Sequence, residues 1–565
     1  MGWADLARAG YSPDEEFTMF AVRGIAAGGL PLLPSGLLYD RGLLYSYASW
    51  LAGGLTADPL VAYRLVSFAG AVAGLALVAR EAARLAGPFA AALAALLVAG
   101  SIPFWVTAST ARFYGPLLAC YAGAVVLLAR PVRGAPGWAL LAASAALARW
   151  CHELAFTLAL VPAAAAFVAP AGQRRPWIAK AMVVGAALVA AQGVLLYVNQ
   201  LAPSSGDTMV RRFFLWQALN LFERPAPGLG IPGVVAVLVA LVRPDRAAVA
   251  VRWAAMVTAM GAAFVGASAL AGGATLTQAG TRIVGQAAAY PLDLFAYLAR
   301  TSPLLVLAAL GAFGLRAAGA GGVWTPRERG VHALWLGWVL WFGVIESGVT
   351  ARYLLLPVTF MLAATAVDLA VLARARHPRR WPGVAAAVLA AAIVVESWYG
   401  PAMPRGPSRL AEARPTLVPE AVRDAVRHDD LVACTDELGC LLAAGRIDAW
   451  LVLDDFFRER FIVMRGTRPL GVYTGAPAVD EIAPLVQQAG RERRRLVIVD
   501  VLKEVPGFGP NVALVSRQLA REGLDGRVLA ASGGIRVVEV MPSEGLARAG
   551  QPVSEPGAWS MKPRR

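Results

Sequence analysis

Long apolar segments separated by short polar connections make up most of the first 400 residues. Each segment is about 14 to 23 residues long, which is enough, or nearly enough, for a helix to cross a bilayer. They begin near residues 60, 86, 114, 136, 154, 181, 229, 250, 301, 333, 353 and 382. This pattern predicts an α-helical polytopic membrane protein with about twelve transmembrane helices.

Basic residues concentrate in every second connection between these segments. They follow the first, third, fifth, seventh, ninth and eleventh segments: Arg80, Arg84, Arg130, Arg133, Arg174, Arg175, Lys180, Arg243, Arg246, Arg252, Arg316, Arg327, Arg329, Arg374, Arg376, Arg379 and Arg380. Because cytoplasmic loops of membrane proteins are enriched in Arg and Lys, these connections are predicted to lie inside.

The remaining connections then face outward and carry a different set of residues. They include the N-terminal DEEF, the turns TARFYG and RWCHEL, long loops over about residues 199–228 and 272–300, and the stretch ESGVTARYLLLP. Acidic, aromatic and histidine side chains are therefore predicted to gather on the extracytoplasmic face of a plasma (inner) membrane protein.

The composition changes near residue 410. Short β-branched runs such as LVACT and RRLVIVDV alternate with helical patterns such as PEAVRDAVRH. This alternation predicts a small extracytoplasmic α/β domain over residues 410–545, followed by a disordered tail at 546–565. Before it lie an external loop with amphipathic helices (1–59) and the transmembrane domain (60–400).

Composition and charge support a membrane protein. Hydrophobic residues make up 58% of the 565 residues and charged residues 16%, and the net charge is +15. The basic residues lie in short clusters between apolar runs, so nucleic acid is excluded as a partner. Cys434 and Cys440 can pair in an oxidising compartment, and spacing alone leaves this pairing open.

Three external motifs resemble those of the C-type membrane glycosyltransferases, which include protein O-mannosyltransferases and lipid A aminoarabinose transferases. The first is the acidic pair Asp14-Glu15, followed by a Gly- and Pro-rich amphipathic stretch that ends in Arg64-Leu65 with Ser67. The resemblance covers residues 14 to about 400. It implies a polyprenyl-phosphate-linked sugar donor, an inverting mechanism, Asp14 as catalytic base and Glu15 as its support.

The second motif is Thr110-Ala111-Arg112-Phe113-Tyr114, in which Arg112 and Tyr114 match the family pattern. Thr110 replaces an acidic residue of relatives, which puts in doubt a carboxylate or metal ligand from this turn. Arg112 and Tyr114 are candidates for contacting the lipid phosphate; the alternative is that both snorkel at the membrane interface. Arg41, in Tyr39-Asp40-Arg41, is a second candidate for contacting the phosphate.

The third motif is Arg352-Tyr353, at the outer end of a late span. A guanidinium at this depth needs a partner, and a lipid-linked phosphate provides one, since Arg binds phosphate through two parallel hydrogen bonds. Glu346 is the alternative partner, in a salt bridge.

Three further residues are possible site members: His152 and Glu153 at another outward turn, and Arg282 in the second long loop. A structural hydrogen bond is the alternative role for the His-Glu pair. Arg211 and Arg212 are looser candidates for an anionic ligand. A divalent metal is possible, and no metal ligand is assigned.

The resemblance also implies one more span before Asp14, so we expect the first family helix to be missing from this sequence. The predicted function is sugar transfer from the lipid carrier to an acceptor hydroxyl of a protein, lipid or glycan. The rival hypotheses are a polytopic transporter or flippase, and a non-catalytic envelope assembly protein. Transport is disfavoured because no internal repeat is visible and the charged motifs lie at one surface.

Overall fold

The computed structural model describes residues 14–168, 171–201, 302–335, 355–376, 381–399 and 420–542, apart from short gaps within 323–333, 454–460, 502–508 and 533–534. The described residues fall into two compact units. We call residues 14–40 with 420–542 the α/β unit, and the described residues of 41–197 and 302–399 the membrane unit.

The membrane unit is helical. Its helices are α2 (Leu43–Ala52), α3 (Pro59–Ala99), α4 (Ile102–Ala108), α5 (Tyr114–Leu128), α6 (Gly134–Cys151), α7 (Thr157–Val168), α8 (Ala171–Leu201), α9 (Pro303–Ala317), α10 (Leu355–Arg376) and α11 (Trp381–Tyr399), with a 3₁₀ turn at Glu153–Phe156. Among the described residues, Pro59–Ala99, Arg174–Leu201 and Leu355–Ala375 are long and apolar enough to cross a membrane. Shorter apolar helices lie at Tyr114–Leu128, Pro303–Ala317 and Pro382–Glu396. The segments expected near residues 229 and 250 lie outside the described residues.

The first two predicted spans form the single helix α3, which is sharply kinked. Ala86 and Gly87 leave the helical conformation, with φ of +78° at Gly87, and Pro88 follows. Pro88 cannot donate a backbone hydrogen bond, which favours a break here. The guanidinium of Arg374 donates to the Ala86 carbonyl. A basic residue of α10 therefore supplies a hydrogen-bond donor to a carbonyl at the kink.

Close glycine contacts fix α5 against α3. A Cβ on Gly115 would lie 1.9 Å from the Ser67 carbonyl oxygen, and one on Gly70 would lie 2.4 Å from the Pro116 nitrogen. Only glycine allows the two backbones to approach this closely. This packing determines the position of the turn that joins α4 to α5, where TARFYG lies.

The α/β unit contains a six-stranded sheet in the order β5-β2-β1-β6-β10-β9. Its strands are β1 (Leu431–Cys434), β2 (Ala449–Leu451), β5 (Ala478–Val479), β6 (Leu496–Val501), β9 (Leu524–Ser532) and β10 (Ile535–Pro542). The first four strands in spatial order are parallel to one another, and β10 runs antiparallel to both of its neighbours, β6 and β9. Two hairpins pair β3 (Ile462–Arg465) with β4 (Arg468–Gly471), and β7 (Glu504–Val505) with β8 (Gly509–Pro510).

The helices of this unit are α1 (Glu15–Gly28), α12 (Glu420–Ala425), α13 (Glu437–Ala444), α14 (Ala483–Glu492) and α15 (Asn511–Arg521). Cys434, at the end of β1, forms a disulfide with Cys440 in α13. The pairing that the sequence left open is therefore present in the structure.

Helix α1 packs on the C-terminal sheet domain although about 400 residues separate them in sequence. One apolar cluster combines Phe20, Leu37 and Tyr39 with Leu438 and Val472. The Ser35 hydroxyl donates to the Val472 carbonyl at 2.7 Å, and the Ser35 N–H donates to the Tyr473 carbonyl at 3.0 Å. The acidic N-terminal motif thus belongs structurally to the α/β unit.

Candidate active site

The TARFYG turn is held by hydrogen bonds from the Ser67 side chain on α3 to the Arg112 backbone. The Ser67 hydroxyl donates to the Arg112 carbonyl at 2.5 Å and accepts from the Arg112 N–H at 3.1 Å. The Thr110 hydroxyl donates to the Val106 carbonyl, so Thr110 satisfies a backbone acceptor in the last turn of α4. These contacts fix the backbone position from which the Arg112 side chain extends.

Rings from two turns stack beside Arg112. The Phe113 ring stacks on the His152 imidazole with centroids 4.8 Å apart, and the Tyr114 ring lies 5.7 Å from it. The Arg112 guanidinium lies over the Phe113 ring at 4.8 Å, in cation–π geometry. The structure therefore brings together TARFYG and RWCHEL, two motifs that the sequence placed on the same face.

His152 is held in one tautomer. Its Nδ1 accepts the Leu154 N–H at 3.1 Å, so the neutral ring carries its proton on Nε2, which lies 3.6 Å from Oε1 of Glu153. Burial lowers the pKa of His152 to about 4, although the charge of Glu153 opposes this shift. The imidazole is therefore neutral near pH 7.

Glu153 is ionised under the same conditions. Burial by itself favours the neutral carboxyl. The positive charges of His152, which is protonated only at the low pH where this carboxyl titrates, and of Arg41 and Arg149 outweigh burial and lower the pKa of Glu153 to about 2. Its Oε1 lies 3.5 Å from Nη2 of Arg41. Glu153 therefore links Arg41 to the His152 turn.

Arg149 is a third arginine in this cluster, and the sequence analysis missed it. It is buried at the end of α6, where its Nε donates to the Gln192 side chain at 2.9 Å and its guanidinium lies 5.3 Å from the Phe156 ring centre. The available signal was its place in RWCHEL, three residues before His152. With Arg41 and Arg112 it gives three guanidiniums beside the His152–Glu153 turn, a basic cluster suited to an anionic ligand.

The acidic motif lies at the start of α1 in the α/β unit. Asp14 precedes the helix and is partly exposed, whereas Glu15 and Glu16 are buried in the first turn. Carboxylates are favourable at this end because the helix dipole is positive there. The structure thus separates a partly exposed carboxylate, Asp14, from two buried ones.

Several predicted site residues lie outside the described residues: Arg282, Arg352, Tyr353, Arg211 and Arg212. In the part of the chain that the structure describes, no group of three or more His, Cys, Asp and Glu side chains is arranged to hold a metal ion.

Apolar helices long enough to cross a bilayer, in a chain that also carries an α/β unit, are the architecture of a membrane protein. No protein-family model matches the chain, and no curated protein matches it. The fold is similar to that of the archaeal oligosaccharyltransferase AglB from Archaeoglobus fulgidus, solved with an inhibitory peptide and a dolichol-phosphate. The two share 13% identity over 97% of this chain and 71% of that chain, with a TM-score of 0.50.

ArnT from Cupriavidus metallidurans also matches, at 13% identity and over 95% of both chains. The TM-score is 0.40 for its apo state and 0.38 for its complex with undecaprenyl phosphate. The resemblance to C-type membrane glycosyltransferases that the motifs indicated is confirmed at the level of the fold.

Proposed function

We propose that this protein is a membrane glycosyltransferase that moves a sugar from a polyprenyl-phosphate carrier to an acceptor hydroxyl on the extracytoplasmic face. The observation that carries the proposal is the cluster of Arg41, Arg112 and Arg149 around the His152–Glu153 turn, on a fold similar to that of AglB. AglB was solved with a lipid phosphate, dolichol-phosphate. A cluster of three guanidiniums suits the same chemical group here.

The reaction has one bond formed and one broken. Asp14 takes the proton of the acceptor hydroxyl, and the oxygen attacks the anomeric carbon from the face opposite the phosphate, which inverts the configuration. The bond from the anomeric carbon to the phosphate oxygen breaks, and its electron pair leaves with the polyprenyl phosphate. The arginines stabilise the charge that develops on this leaving group.

The roles of the two leading carboxylates follow from their exposure. Asp14 is partly exposed, as a group that meets an acceptor must be, and Glu15 is fully buried beside it. We therefore assign Asp14 as the base and Glu15 as its support. Arg352 and Tyr353 keep the phosphate-binding role that the motif implies.

The disulfide between Cys434 and Cys440 supports an extracytoplasmic α/β unit. Structural disulfides persist in oxidising compartments and are rare in the cytosol. The same side is expected from the basic connections, which place the turns of Arg112 and His152 outside.

Transfer from a radiolabelled polyprenyl-phosphate sugar, measured with the full chain in nanodiscs, tests the proposal. We expect Asp14→Asn to lower turnover at least 100-fold with donor binding retained, and Arg112→Ala to weaken donor binding at least tenfold. Arg491→Ala, at an exposed site on α14, is the control. Unchanged transfer in Asp14→Asn would show that the base is assigned wrongly. Sugar-lipid flipping without transfer would favour a flippase.

A further inference from the structure

The first turn of α13 lies directly against the acidic motif. A Cβ on Gly439 would lie 2.7 Å from Oε1 of Glu16 and 2.5 Å from Oδ2 of Asp436. Asp436 caps α13, and its Oδ2 accepts the Gly439 N–H at 2.8 Å. Two carboxylates therefore approach the same point on α13, and a methyl group at Gly439 would force one or both of them to shift.

Helix α13 is itself fixed from two sides. The Cys434–Cys440 disulfide ties it to β1. Glu437 ties it to the loop after β4, because its Oε1 accepts from the Thr474 N–H at 3.0 Å and from the Thr474 hydroxyl at 2.6 Å. A Cβ on Gly471 would lie 2.0 Å from the same Oε1. A side chain at Gly471 would therefore force the Glu437 carboxylate out of this position.

The same loop holds the segment that follows α1. Ser35 donates to the Val472 and Tyr473 carbonyls, and the Phe17 ring packs against both the Tyr39 and Tyr473 rings. The start of α1 rests on α13 and the segment after it rests on the loop that Glu437 binds. The position of the acidic motif is thus set by contacts from the C-terminal domain.

We propose that Gly439 and the first turn of α13 are a positioning element for the acidic motif, acting on it through the buried Glu16. This inference rests on the proposed function, in which Asp14 of the acidic motif is the catalytic base. It gives the C-terminal domain a direct part in the reaction: the domain holds the catalytic carboxylates in place.

The first test measures position without activity. Amide hydrogen exchange of residues 14–28 is compared between wild type, Gly439→Ala and Gly490→Ala, with the full chain in nanodiscs. Gly490 is the matched control, since it lies in a helix of the same unit and a Cβ there meets nothing within 4 Å. We expect exchange in residues 14–28 to rise at least tenfold in Gly439→Ala alone, while β6 stays protected. Unchanged exchange, or an equal rise throughout the sheet, would overturn the inference.

The second test is a double-mutant cycle on sugar transfer. We expect Gly439→Ala to lower kcat at least tenfold with the KM for the donor within twofold of wild type. In the Glu16→Ala background the same change should alter kcat less than twofold, because the carboxylate that the methyl group displaces is gone. An equal loss in both backgrounds would contradict a role through Glu16.

The two tests separate the inference from the proposed function. Raised exchange with unchanged transfer would confirm the positioning contact and refute the catalytic role of the motif. If Gly439→Ala does not accumulate as folded protein, the double variant with Glu16→Ala decides: recovery of folded protein supports the contact, and failure to recover overturns it.

Discussion

Arg41 and Glu153 form an ion pair that joins two turns of the membrane unit, with Nη2 of Arg41 3.5 Å from Oε1 of Glu153. The pair is partly exposed, at 30% and 20% of the two side chains, so the contact by itself adds little stability. Its importance is electrostatic, because Glu153 places a negative charge beside Arg41 and Arg149 in this cluster.

The first prediction concerns this charge balance. Arg41→Ala removes a guanidinium that donates hydrogen bonds to the phosphate and should weaken the binding of a short-chain polyprenyl phosphate about tenfold. Glu153→Gln removes a competing anion and should tighten the same binding by about twofold to fivefold. Calorimetric titration in detergent at two salt concentrations measures both effects. Changes in the same direction would show that the cluster does not act as an anion site.

The second prediction concerns the packing that holds the TARFYG turn. Gly115→Ala places a methyl group 1.9 Å from the Ser67 carbonyl oxygen, and overpacking of this kind costs about 1–3 kcal/mol. Gly123→Ala, in the same helix, meets its nearest atom at 3.9 Å and is the control. We expect a lower thermal midpoint and weaker donor binding in Gly115→Ala only. Equal stability of the two variants would contradict the close approach of α3 and α5.

The third prediction concerns Glu437. Burial raises its pKa to about 7, against the hydrogen bonds from Thr474 and Tyr473. A carboxyl whose pKa is higher in the folded state stabilises the fold at low pH, and this contribution disappears as the pH rises from about 4.5 through 7. The α/β unit should therefore lose up to about 3 kcal/mol between pH 5 and pH 8.

Amide hydrogen exchange of residues 437–444 at several pH values measures this dependence. Glu437→Gln cannot ionise and should flatten the profile, with stability at pH 8 close to that at pH 5. A wild-type profile as flat as that of the variant would show that Glu437 titrates normally.

The fourth prediction concerns the disulfide and the side of the membrane. Because Cys434 and Cys440 are fully buried, an exposed reporter, Arg491→Cys, is used, and membrane-impermeant maleimide should label it on intact cells. Cys151 is buried in the membrane unit and should not react. Labelling that requires cell lysis would place the α/β unit in the cytosol and refute the predicted topology.

Replacing both cysteines with Ala should destabilise the α/β unit by about 2 kcal/mol, the value expected for a short closed loop. Thermal melting with and without reductant measures this loss, and the double variant should be insensitive to reductant.

The sequence by itself determined the class of protein, because hydropathy and the placement of cations depend on local composition. It also indicated the α/β domain, since β-branched runs alternate with helical patterns at the spacing that such a domain needs. Arg41, Arg112, Tyr114, His152 and Glu153 were named from motifs, and the structure brings them together in one unit. Their functional roles stay predictions.

Only the tertiary structure decided which distant segments meet. Arg149 lies in an apolar stretch, and its place in the cluster depends on the turn after α6 and on Gln192 in α8. The acidic motif packs against α13 through Glu16 and Gly439, whose contact spans most of the chain. Such contacts depend on how the segments fold back on one another, and a local pattern of residues does not determine which distant segments come into contact.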